Sequence, residues 1–118
     1  MSDAILVTSR FFNMTNMILN FECTESAHGA WGERPASQLQ PYQELWWNHH
    51  SNGIMTGSEA GVIVTSGDTF LANFSWDVPY LGENTFQAHI SGQSNYYAEY
   101  WGQQASDVHV VYWLRPKV

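Results

Sequence analysis

A binding chemistry is written into a handful of residues: Trp31, Trp76, Asp77, Tyr80 and Glu83, with Trp46 and Trp47 as further candidates. Trp76 to Glu83 fall inside one stretch, Phe74 to Phe86, reading FSWDVPYLGENTF. Phe74 and Trp76 alternate as in a strand. Pro79 then removes a backbone donor and Gly82 permits a tight reversal, so the strand ends there and its rings and acceptors gather at a turn. A carboxylate such as Asp77 or Glu83 can take an ammonium group, and a Trp or Tyr face can hold a quaternary ammonium by cation–π attraction. The same residues can build a packed corner, with Trp76 in the core and Asp77 capping the turn. Trp31 stands in a glycine-flanked loop, where a large ring either packs inward or meets a ligand. Adjacent in a strand, Trp46 and Trp47 point to opposite faces, so at most one of them belongs to the core of a two-layer protein.

Catalytic chemistry is not encoded in a comparable way. His49 and His50 are neighbours on opposite faces of a strand, a poor geometry for one metal, and His28, His89 and His109 lie on separate elements. No HExxH, GxSxG or glycine-rich phosphate loop occurs. The expectation is a binding protein without catalytic residues, cofactor or metal. Protonation of the five histidines near pH 6 would move the formal charge of −7 toward zero, which makes association pH-responsive. A lectin-like module for cell-surface glycans is the alternative, because aromatic platforms with Asp, Glu and Asn also suit sugars.

The elements that must position these residues are strands. Ala4 to Phe12 and Met14 to Cys23 read as two strands in a hairpin around Asn13, and in the second Met17, Leu19, Phe21 and Cys23 share one face. A long loop from Glu25 to Pro41 follows, broken by Gly29, Gly32, Pro35 and Pro41. Glu44 to His50 is extended, and Asn52-Gly53 signals a turn. Val62 to Thr65 and Thr69 to Trp76 are joined by Ser66-Gly67-Asp68. Further strands span Thr85 to Ile90, Tyr96 to Trp101 and Val108 to Leu114, with breaks at Gly92 and Gly102. Apolar groups on both faces of the last strand place it centrally in a sheet. No stretch keeps a 3.6-residue period over three turns, so the chain is predicted to be all-β, an antiparallel sandwich of about eight strands.

The 118 residues make one domain spanning 1–118, with 44% hydrophobic and 13% charged residues. Only Arg10, Arg34, Arg115 and Lys117 oppose eleven carboxylates. Such a chain repels a nucleic-acid backbone and finds no electrostatic grip on an anionic bilayer, while neutral or zwitterionic head groups and sugars stay accessible. Cys23 is the only cysteine, so no internal disulfide forms. The N-terminus shows no secretory signal pattern, and the expectation is a product held in the cytoplasm or in inclusions of the producing cell and then released to act at a target membrane.

Two ordered motifs carry a family resemblance. Ser51-Asn52-Gly53-Ile54-Met55-Thr56-Gly57-Ser58-Glu59-Ala60-Gly61 is followed by Phe74-Ser75-Trp76-Asp77-Val78-Pro79-Tyr80-Leu81-Gly82-Glu83-Asn84, with Gly29-Ala30-Trp31 and Pro35 upstream. This order, running from about Thr15 to Leu114, resembles the aegerolysins, and is most similar to the small aegerolysin-like subunits of bacterial two-component insecticidal toxins. Ile54 in place of an aromatic, Ala60 before Gly61, Trp76 before the Asp, and the Leu45-Trp46-Trp47 run depart from that pattern. The resemblance implies a β-sandwich that binds a sphingolipid-type head group at a membrane and recruits a larger pore-forming partner protein. Exposed rings further allow a homo-oligomer, and membrane lipid and that partner are the only ligands expected.

Overall fold

The computed structural model describes residues 4–68, 71–91 and 95–118. The strand start expected at Thr69 and the break expected at Gly92 lie outside them, as do Met1 to Asp3. Among the described residues every regular element is a strand: β1 Leu6–Asn13, β2 Leu19–Cys23, β3 Ala30–Trp31, β4 Gln38–Leu39, β5 Glu44–His50, β6 Ser58–Thr65, β7 Leu71–Val78, β8 Thr85–Ile90, β9 Tyr96–Gly102 and β10 Asp107–Pro116. β3 and β4 have two residues each and arise within the loop expected from Glu25 to Pro41.

Two five-stranded sheets pack face to face. The first has the order β3-β5-β1-β10-β9 and the second β4-β2-β6-β7-β8. β1 therefore does not form a hairpin with β2, as the sequence suggests; the two lie in different sheets. The turn between them is made by Asn13, whose buried Nδ2 donates to the carbonyls of Met17 and Gln40 while Oδ1 accepts from Thr15 N and Oγ1. A side chain that satisfies this much backbone can carry the chain from one sheet to the other. The sandwich is also not wholly antiparallel: β1 runs parallel to β10, from Leu6 opposite Asp107 to Asn13 opposite Leu114. β10 is central, between β1 and β9, as its two apolar faces predict.

Inward residues alternate along each strand and close the core with rings. Trp47 stacks on Tyr112 at 5.9 Å between centroids, and Phe11 meets Phe21 and Phe74 edge-on at 5.1 and 4.9 Å. The Tyr112 hydroxyl donates to the Ser75 carbonyl, which ties the first sheet to the second across the core.

Candidate functional site

One end of the sandwich collects the loops. The end of β5, the beginnings of β1, β6, β8 and β10, and the ends of β7 and β9 all meet there, because His50 pairs with Leu6, Leu6 with Asp107, and Ser58 with Val78. Loop 51–57 and loop 79–84 are in direct contact. A Cβ on Gly57 would lie 2.5 Å from the Val78 carbonyl oxygen, so only glycine lets the loops close on each other. Gly53, at φ +124°, turns the first of them; Gly57 and Gly61 serve close approach to β7 and not positive φ.

These loops lift large aliphatic side chains into solvent. Ile54 is 88% and Leu81 81% exposed, and Met55 and Tyr80 are exposed beside them. Beneath Leu81 lies a cleft of about 510 Å³ whose walls include Ile5, Pro79, Tyr80, Glu83, Gln104 and Ser106. Asn84 braces it. Its backbone N donates to Gln104 Oε1, its Nδ2 donates to the carbonyls of Gln103 and Ala105, and Gln104 Nε2 donates back to the Asn84 carbonyl, all within 3.0 Å.

Behind the loops sits a buried polar chain. His49 is wholly buried, with Nδ1 2.7 Å from Ser58 Oγ and Nε2 2.8 Å from Ser26 Oγ, and Trp76 Nε1 donates to Ser58 Oγ at 3.0 Å. Ser58 Oγ, which accepts from Trp76, and Ser26 Oγ can each donate to or accept from the ring, so both imidazole nitrogens are satisfied with the ring uncharged. Burial, aided by His50, lowers its pKa from 6.5 to about 4. Although a serine lies on each side, the imidazole is a weak base at neutral pH and is shut off from solvent.

The sequence-predicted residues are divided by the fold. Tyr80 and Glu83 line the cleft between loop 79–84 and residues 104–106. Trp31, half-buried, closes the rim of the core, edge-on to Trp76 at 5.5 Å and to His49 at 5.2 Å, with the Arg34 guanidinium over its ring. Trp76 is 1% exposed, and Trp47 is equally buried, so both rings belong to the core and offer no face to a ligand. Asp77 faces outward on the second sheet, directly across from Glu59, in a separate groove of about 470 Å³ that also includes Glu25 and Gln87. Trp46 points outward from β5, near the edge of the first sheet, on the face opposite to Trp47. Sequence reasoning missed Ile54, Met55 and Leu81 as an exposed set. The available signal was that each sits between turn residues, out of phase with any strand that could bury it.

The architecture is that of the aegerolysin-like β-sandwiches, as the ordered motifs imply. Among solved structures, the lipid binding protein Nakanori matches with a TM-score of 0.83 at 15% identity, covering 94% of this chain and 71% of Nakanori. IP-1A from Alcaligenes faecalis matches with a TM-score of 0.76 at 15% identity, over 97% of this chain and 92% of that one. RahU, solved in complex with a Tris molecule, matches with a TM-score of 0.80 at 14% identity over 95% of both chains. At these identities the likeness is one of fold. No protein-family model matches the sequence. No curated protein matches it either.

Proposed function

We propose that this chain is a non-catalytic, membrane-lipid-binding protein that inserts the tips of loops 51–57 and 79–84 into the interfacial zone and takes a sphingolipid-type head group at the cleft beside them. The observation that carries this reading is the grouping of Ile54, Met55, Leu81 and Tyr80, exposed together at one end and adjoining a cleft that holds a carboxylate. If each of the four withdrew roughly 80 Å² from water, at 25 cal/mol per Å² the gain would be roughly 8 kcal/mol before ordering costs, a reversible foothold. Glu83 supplies an acceptor for an ammonium, and the Tyr80 ring a cation–π face. Net charge of −7 directs the protein to zwitterionic lipids and away from anionic ones. The shared fold with a protein described as lipid binding supports the reading. In the fuller form of the proposal the chain is the membrane-docking half of a two-component, insecticidal-type toxin and recruits a larger pore-forming partner.

Co-sedimentation with vesicles of phosphatidylcholine, sphingomyelin with cholesterol, or ceramide phosphoethanolamine tests it. Binding to one sphingolipid mixture is expected, and Ile54→Asp and Leu81→Asp should each weaken it at least tenfold with unchanged thermal melting. Failure to bind any of the mixtures would overturn the reading. The chain alone should release no trapped dye from vesicles; release by the chain alone would count against the two-component form.

A further inference from the structure

The outer face of the first sheet is a second candidate surface, remote from the loop tips. One cross-strand row runs Trp46, Arg10, Val111, Trp101, from β5 through β1 and β10 to β9. The outer two are rings in solvent, Trp46 at 62% and Trp101 at 57% exposed. Three strand spacings separate them, roughly 14 Å at about 4.8 Å each. Beside Trp46 lies a cleft of about 550 Å³ lined by Thr8, Arg10, Glu44 and His109. Arg10 Nε and Nη2 both donate to the same oxygen, Glu44 Oε1, at 3.2 and 2.6 Å. Arg10 Nη1 and Glu44 Oε2 take no part in that pair, one a donor and one an acceptor, in the cleft that also includes the exposed indole of Trp46.

That combination matches the chemistry of a pyranose. The C–H face of a sugar ring covers an indole, and hydroxyls of the same sugar chain can donate to Glu44 Oε2 and accept from Arg10 Nη1. The charge balance selects among occupants. Arg10 is paired with Glu44 and Arg115 with Glu99 on this face, so a strongly acidic molecule presents here a locally neutral platform. A bilayer would have to strip water from both ion pairs, which is costly. A second copy would bring another −7 charges. A neutral glycan meets neither penalty. The geometry points to a binding site for a neutral oligosaccharide laid across the strands, with one sugar ring on Trp46, held by Arg10 and Glu44, and a later ring of the same chain on Trp101.

The test uses laminarin, mannan, dextran and chitohexaose as probes, in native affinity electrophoresis and in titrations of tryptophan emission. At least one should retard the protein and quench its emission. Trp46→Ala and Glu44→Gln should each weaken that binding tenfold or more. Trp101→Ala should weaken binding of the polymer or hexamer while leaving the matching monosaccharide or dimer unaffected. All three variants should keep the parent's melting temperature and vesicle binding, which separates this site from the loop-tip reading. The proposal is overturned if no probe binds, if Trp46→Ala and Glu44→Gln bind the glycan as the parent does, or if Trp46→Ala and Trp101→Ala convert a dimer into a monomer in sedimentation velocity, which would make the face a self-association surface.

Discussion

His49 Nδ1 stands 2.7 Å from Ser58 Oγ, the same oxygen that receives the Trp76 indole N–H. The bond joins the inner face of one sheet to that of the other directly behind the loop end. A protonated imidazole would donate from both nitrogens, so the Ser58 and Ser26 hydroxyls would each have to turn their protons away from it. The network is therefore built for the neutral ring.

Folding stability should depend on pH through this residue. The folded pKa is about 4 against 6.5 for the free side chain, so between those values the unfolded state binds more protons. Stability from the neutral ring is complete above pH 6.5 and is lost as pH falls toward 4, by up to about 3 kcal/mol. Urea unfolding from pH 7.5 to 4.5 should show this decline, and His49→Gln should flatten it relative to the parent. Parallel curves for the two proteins would sink the assignment.

Trp31 shields that imidazole. Trp31→Ala should cost about 3 kcal/mol for the lost ring, and by admitting water it should raise the His49 pKa toward its ordinary value. Imidazole proton shifts followed by NMR across pH 3.5 to 7.5 check the second effect; an unmoved pKa would show that the shielding lies elsewhere.

Asn84 is the clamp of loop 79–84. Asn84→Ala leaves two carbonyls without their donor and should cost about 1–3 kcal/mol. Asn84→Asp should be worse, because a carboxylate then faces those two oxygens. Both should also reduce vesicle binding several-fold, as the Tyr80–Leu81 tip loses its support. A melting temperature within a degree of the parent for both variants would contradict the role.

Where the period of two governs, the chain announces its structure. His49, Trp47 and Leu45 are in phase and all face inward, while Trp46 faces out, as adjacent residues of one strand must. The same rule, carried one step further, places Trp76 with Phe74 in the core and Asp77 outside; the pull of a nearby turn obscured it. Long-range matters were not legible. Nothing local to Asn13 distinguishes a hairpin from a crossing between sheets, since the difference lies in the carbonyl of Gln40, far along the chain. Nor can alternation reveal that Ile54 and Leu81 share one end, because the contact of Gly57 with Val78 and Pro79 that unites their loops is tertiary. Trp46 and Trp101 are brought into one row only by strands that pair across most of the sequence.

The parallel pairing of β1 with β10 has a further consequence, for biosynthesis. Leu6 waits for Asp107, so a strand in the middle of the first sheet stays half-paired until β10 has left the ribosome. Pairing at such sequence separation is slow, and an apolar strand with an open edge is a template for the wrong partner meanwhile. The yield of soluble protein on expression should therefore rise with added chaperone and with cooler growth, the pairing of β10 being the limiting event.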